Sequence, residues 1–153
     1  MSDALHTVMA YAADFEKTYD DDDWSRLEQY FADDATYEVI GGPMACHIAG
    51  REAIFAGIRK SLDGFDRRSD SRELELLSGP EVSTRAEGEQ IDLGWRVIYQ
   101  FQDAPTMYLP GSSRVTVAGG VIVALVDEYK DDEMGQVYSW MESHGAGLNP
   151  SYV

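Results

Sequence analysis

One acidic residue interrupts an apolar row near the end of a strand-like run. From Val121 to Tyr129, alternation puts Asp127 on the same face as Val121, Val123, Leu125 and Tyr129. A carboxylate on a face that lines a cavity loses hydration, so its pKa rises and it can accept or share a proton near neutrality. That is the chemistry of a base that takes a proton from the carbon beside a carbonyl, or that activates a water. The competing expectation is a structural carboxylate, exposed or bonded to a backbone N–H.

The other chemistry-bearing residues form no second cluster. His47, in a loop before a helix, is placed to shuttle a proton or to touch a ligand at a cavity mouth, or else to stand in solvent. Cys46 beside it suggests no metal site, because adjacent residues rarely chelate one ion together. Asp20 to Asp23 lack the spaced ligands, turn glycine and distal glutamate of a calcium loop, and read as a solvated turn with a helix cap. Phosphate-binding glycine loops and serine nucleophile motifs are absent, so neither metal nor cofactor is expected.

Stepping out to the elements that must hold Asp127, the longest regular pattern runs from Ile91 to Phe101. Ile91, Leu93, Trp95, Val97, Tyr99 and Phe101 share one face, as a strand with one buried side requires. A strand of this reach covers its apolar face by lying in a curved sheet with helices packed across the concavity. Ahead of it, Val8, Ala12, Phe15 and Tyr19 recur at helical spacing over Ala4–Tyr19, with Tyr11 beside them. Asp23 is placed to cap a second helix that turns Leu27, Tyr30 and Phe31 inward. Ala35–Ile40 reads as a strand, Met44 to His47 as a loop, and Ile54, Ile58 and Leu62 as the stripe of a third helix ended by Gly64.

Strands are then expected over Arg72–Ala86, kinked at Gly79–Pro80, and over Gln90–Gln102. A third, Met107–Val117, is interrupted at Pro110–Gly111, and a hairpin at Gly119–Gly120 leads into Val121–Tyr129. Asp132–His144 is expected to be helical, a strand over Gln136–Glu142 being the alternative. The order predicts an α+β fold with helices segregated to one face of a mostly antiparallel sheet.

Composition narrows the partners. At 153 residues the chain suits one domain, 1–153, with a core over about 4–130 and a C-terminal helix and tail over 131–153. A net charge of −16 repels nucleic acid and anionic membranes, so neither is an expected partner. One cysteine, no long apolar run and no leader pattern make a cytoplasmic protein the expectation.

Two segments carry a resemblance. Tyr30-Phe31-Ala32-Asp33-Asp34-Ala35-Thr36-Tyr37-Glu38 and Gly50-Arg51-Glu52-Ala53-Ile54, with the order of elements, resemble the nuclear transport factor 2-like superfamily, especially ketosteroid isomerases and SnoaL-like polyketide cyclases. The resemblance implies a cone-shaped, strongly curved sheet wrapped by three helices from the N-terminal half, here with an extra C-terminal helix, commonly as a homodimer. It does not carry over the isomerase machinery, since Val39 stands at the base position and Phe15 at the oxyanion-hole tyrosine. Against limonene epoxide hydrolase, Asp127 resembles the water-holding carboxylate and Tyr37 the first-strand tyrosine, while the Arg-x-Asp pair has no counterpart.

Together these readings predict a cofactor-independent enzyme acting on a small hydrophobic carbonyl- or epoxide-like molecule. Asp127 is its proton acceptor and Tyr37 or Tyr19 its hydrogen-bond donor; Phe15, Val39, Trp95, Val97, Tyr99, Leu125, Tyr129 and His47 touch the ligand. If the C-terminal segment covers the pocket, Tyr138 and Met141 form its lid. A non-catalytic binder, or a dimeric accessory protein whose pocket is filled by its own side chains, is the alternative.

Overall fold

The computed structural model describes residues 2–153. Ser2 opens the first helix, its Oγ accepting from the Leu5 amide at 3.0 Å. Helix α1 (Asp3–Asp21) turns Ala4, Val8 and Thr18 fully inward, with Tyr11, Phe15 and Tyr19 half-buried. It stops at Asp22, whose φ of 61° closes the last turn. The aspartate run is held by arginines and an indole: Asp21 by Arg26 at 2.6 Å, and Asp22 by Arg59 at 2.7 Å, Arg67 at 3.0 Å and Trp24 Nε1 at 2.8 Å.

The expected second α-helix is instead a 3-10 helix over Trp24–Tyr30, and Asp23 does not cap it. Its carboxylate takes the Ser25 hydroxyl, Leu27 is the single buried residue of the segment, and Phe31 already belongs to the first strand. With one side chain to bury, the segment gains little from a full α-helical stripe.

Six strands form one sheet in the order β2-β1-β6-β5-β4-β3. They are β1 (Phe31–Ile40), β2 (Cys46–Ala49), β3 (Ser71–Arg85), β4 (Gly88–Gln100), β5 (Met107–Ala118) and β6 (Val121–Glu128). All neighbours are antiparallel except β1 and β6. The predicted loop through Met44 and His47 thus contains an edge strand, with His47 opposite Glu38. Its signal was four residues long, too short to show a period.

Nor is β5 interrupted at Pro110–Gly111. β6 pairs with β5 only from Ser112 onward, so Pro110 lies where β5 has β4 as its one neighbour, the edge setting in which a strand tolerates proline. The register of β3 shifts between Leu76 and Ser78 and again between Ser78 and Glu81, the second shift spanning Gly79–Pro80, where a kink is expected.

A further shift corrects the β6 pattern. Thr116 faces Ala124 while Val117 faces Ile122, so Val123 is an extra residue. Ile122, fully buried, therefore takes the inner position given above to Val121 and Val123, whereas Leu125, Asp127 and Tyr129 keep theirs.

Helix α2 (Arg51–Gly64) buries Ile54, Phe55, Ile58 and Leu62 against the sheet face that also carries Ile91, Val97, Tyr99 and Phe101. After a 3-10 turn at Asp131–Glu133, helix α3 (Gly135–His144) starts three residues later than expected and without a side-chain cap. Met134, Val137 and Trp140 are buried, and Trp140 Nε1 donates to the Pro105 carbonyl at 2.6 Å. The C-terminal segment is thereby part of the same core. The result is a mixed α+β fold: one open sheet with three α-helices and the seven-residue 3-10 helix. No helix among the described residues is long and apolar enough to cross a membrane.

Candidate active site

Register explains how Asp127 meets its partners. On β6 it lies between Val39 of β1 and Ser113 of β5. Tyr37, two residues back along β1 on the same face, donates its hydroxyl to Asp127 Oδ2 at 2.7 Å, across 90 residues of sequence. Ser113 Oγ lies 2.6 Å from Oδ1 and Trp95 Nε1 2.8 Å from Ser113 Oγ. An indole nitrogen can only donate, so Ser113 accepts from Trp95 and commits its own proton to Asp127.

The carboxylate is thus held at both oxygens with no cation in contact among the described residues. Burial raises the Asp127 pKa above the ordinary carboxylate value; the hydrogen bonds from Ser113 and then Tyr37 only partly counter it. Burial, then the Asp127 charge, drives the Tyr37 phenol well above its ordinary value. At neutral pH Tyr37 therefore stays a donor.

Asp127 opens on a cavity of about 470 Å³ between the sheet and the helices. Phe15, Trp95, Val97, Tyr99, Leu125 and Tyr129 contribute to its wall, as do Tyr138 and Met141 of α3 and the chain end from Asn149 to Tyr152. Among the phenols that line it, Tyr11, Tyr129 and Tyr152 are subject to the Asp127 charge. Burial raises the pKa of each, with the Asp127 charge adding to it, Tyr152 being pushed up to about 12. All three are therefore protonated at neutral pH, and none donates to Asp127.

A second polar group occupies the wall near Tyr99. Asp66, 8% exposed, accepts from Tyr99 Oη at 2.8 Å and Arg72 Nε at 2.9 Å, both on Oδ2. Arg72 also grips both Glu16 carboxylate oxygens, at 2.9 and 3.0 Å. Burial raises the Asp66 pKa despite Arg72 and Tyr99; burial works against Arg72, yet the Asp66 and Glu16 charges hold it charged.

The residues singled out from sequence separate accordingly. Asp127 and Tyr37 are brought into contact, and Phe15, Trp95, Val97, Tyr99, Leu125 and Tyr129 share their cavity. Tyr19 is elsewhere: its hydroxyl donates to the Asp66 carbonyl at 2.9 Å, and the Arg72 guanidinium lies 4.7 Å from its ring centre, so it cannot serve Asp127. Val39 packs in the core on the inner face without lining the cavity. His47 is exposed on edge strand β2, pointing away from buried Ile48 and from the cavity. Ser113, Tyr152, Asp66 and Arg72 were missed. Only Ser113 carried a local signal, since it shares parity with Val115 and Val117 once β5 runs unbroken.

A SnoaL-like domain model matches residues 4–135. The chain belongs to the SnoaL-like domain family. Its fold is that of the nuclear transport factor 2-like superfamily, as the two motif segments implied. Bal32a, from a soil-derived mobile gene cassette, superposes with a TM-score of 0.63 at 18% identity, over 92% of this chain and 95% of its own. TerC, co-crystallised with polyporic acid, gives 0.63 at 14% identity over 92% and 99%. A candidate polyketide cyclase from Xanthomonas campestris pv. campestris gives 0.54 at 23% identity over 88% and 96%. No curated protein sequence matches the chain. At these identities the neighbours establish the fold of this SnoaL-like domain and leave its chemistry to the cavity.

Proposed function

We propose that this SnoaL-like domain is a cofactor-independent enzyme of the isomerase, cyclase or hydrolase type. It acts by proton transfer through Asp127 on an apolar carbonyl- or epoxide-like molecule. The observation that carries the reading is the half-buried Asp127 carboxylate, which touches no cation among the described residues and is held by Tyr37 and Ser113 at the wall of an aromatic cavity.

With a ketone in the cavity, Asp127 removes a proton from the carbon next to the carbonyl. The C–H electron pair moves into the enolate, and a phenol O–H facing the cavity stabilises the oxygen that gains charge. Returning the proton at another carbon gives an isomer; attack of the enolate carbon on a second carbonyl closes a ring, the new alkoxide taking the proton back from Asp127. With an epoxide, the same carboxylate takes a proton from water while the water oxygen attacks carbon and the ring C–O bond breaks; the phenol hydrogen-bonds the departing oxygen, which then takes the proton back from Asp127, giving the diol and restoring the base. A mere binder needs the apolar cavity but has no use for a desolvated carboxylate fixed at both oxygens, which costs stability.

The reading is tested by NMR-detected deuterium exchange into β-tetralone and by hydrolysis of cyclohexene oxide, in the wild-type protein and in Asp127→Asn. Turnover of either probe that disappears in the variant supports it. A wild-type protein inert towards both, or a variant as active as wild type, would defeat it.

A further inference from the structure

The family match ends at residue 135, yet the last five residues of the chain run back beneath α2 and reach the cavity. The Asn149 amide donates to the Gly64 carbonyl at 3.0 Å, Ser61 Oγ donates to the Pro150 carbonyl at 2.6 Å, and Lys60 Nζ lies 2.6 Å from a Val153 oxygen. This is a seated strap, tied at three places to one helix.

The sequence of α2 is shaped to receive it. Gly57, Ser61 and Gly64 fall at i, i+4 and i+7, one face of the helix. A Cβ on Gly57 would stand 3.0 Å from the Tyr152 carbonyl oxygen and 2.7 Å from Ile48 Cδ1, and one on Gly64 would run into the Asn149 carbonyl. Glycine is the poorest helix former after proline, so Gly57 in the helix interior calls for a reason beyond the ordinary helix-ending role of Gly64. Room for the strap supplies it.

What the strap delivers is Tyr152. Its ring stands edge-on to that of Tyr37, with centroids 5.4 Å apart, and its hydroxyl lies among those of Tyr37, Tyr129 and Ser61. Tyr37 and Ser113 have committed their protons to Asp127, so neither can donate to a substrate without releasing the base. The Tyr152 hydroxyl makes no bond to Asp127; its neighbours are the hydroxyls of Tyr37, Tyr129 and Ser61, which a substrate oxygen can replace as acceptor, and it lies in the field of both Asp127 and Asp66. Of the three phenols that leave Asp127 free it is the one whose ring rests on Tyr37; Tyr129 leans on Trp95, and Tyr11 on Phe15, Tyr30 and Phe31.

We infer that Tyr152 is a catalytic residue of this site, carried in by the C-terminal strap to donate a hydrogen bond to the substrate oxygen while Asp127 moves the proton. The inference rests on the Asp127 reading above and names its donor. Tyr152 keeps its own proton throughout: the C–H proton goes to Asp127, the electron pair goes to the enolate, and the phenol O–H stabilises the oxygen. The active site is complete only when residues 149–153 are docked on α2.

The test compares the full-length wild type, Tyr152→Phe and Asp127→Asn in β-tetralone exchange. β-Naphthol affinity, read by tryptophan fluorescence, is measured alongside, its oxygen standing in for the enolate oxygen. The expected result is a fall in kcat of about 100-fold in Tyr152→Phe with KM nearly unchanged, and a β-naphthol affinity weaker by about 10-fold. A wild type that exchanges and a Tyr152→Phe that exchanges equally well overturn the inference and leave Asp127 as the base. A wild type that does not exchange defeats the Asp127 reading instead. The β-naphthol comparison then decides Tyr152 alone: weaker binding in Tyr152→Phe sustains it as the donor to a bound oxygen, whereas equal binding, or none in either protein, overturns it. Deleting residues 149–153 should reproduce the Tyr152→Phe loss; full activity without the strap would likewise overturn the inference.

Discussion

Gly111 on β5 lies directly against the indole of Trp95 on β4: a Cβ at that position would stand 2.5 Å from Cη2, 2.8 Å from Cζ2 and 3.0 Å from Cζ3. The two residues face each other in the ladder, and the missing side chain lets the indole lie flat enough for Nε1 to reach Ser113. Gly111→Ala should therefore push the ring away and leave Ser113 without its donor. We expect a loss of about 1–3 kcal/mol of stability from overpacking, a shifted tryptophan emission, and reduced Asp127-dependent turnover. Unchanged emission with unchanged turnover would show that the indole is not held by this contact.

The two hydrogen bonds to Asp127 can be separated by pH. Both favour its ionised form, Ser113 more than Tyr37. Removing either raises the Asp127 pKa further, so the acid limb of kcat/KM should move to higher pH. The shift should be larger in Ser113→Ala than in Tyr37→Phe, as measured from pH 4 to 8. Equal profiles in all three proteins would mean that Asp127 does not set the limb.

Stability carries the opposite sign from activity at Asp127. Its folded pKa lies above the ordinary value of 3.8, so between the two the native state binds more protons than the unfolded chain. Stability from this group is therefore full below the unfolded pKa and declines as pH rises through the folded one. Asp127→Asn should melt higher than wild type at neutral pH, with the difference shrinking as pH falls towards 4. A melting-temperature difference independent of pH would contradict the assignment.

Arg72 and Asp66 are both largely buried, with side chains 10% and 11% exposed, whereas Glu16 is 42% exposed. Arg72→Met leaves Asp66 without its cation and should cost about 3–5 kcal/mol in urea denaturation. Glu16→Gln removes a partner that water can replace and should cost at most about 1 kcal/mol. Similar losses in the two variants would argue that Arg72 is held chiefly by Glu16.

The α3 lid is tested more cleanly by side-chain truncation than by deletion of everything beyond Lys130, which would also remove buried Met134, Val137 and Trp140. Tyr138→Ala with Met141→Ala should widen the cavity mouth, speeding both association and release of β-naphthol with little change in melting temperature. Unaltered rates would place the entrance elsewhere.

By itself the sequence determined the elements whose patterns are long: the helical stripe of α1, the period of two along β4, the Gly119–Gly120 hairpin, and the fold family through the Tyr30–Glu38 and Gly50–Ile54 segments. It also marked Asp127, because a carboxylate in an apolar row breaks a local period that a reader can see. Tertiary structure decided the rest, for reasons of distance and of single-residue offsets. The bulge at Val123 swaps the inner face of early β6 without any change in composition. Tyr19 and Tyr37 are chemically identical candidates until the fold sets one against the Asp66 carbonyl and the other against Asp127. Tyr152 reaches Tyr37 only because the chain end docks on a glycine-bordered face of α2, a match between two segments that nothing within either one reveals.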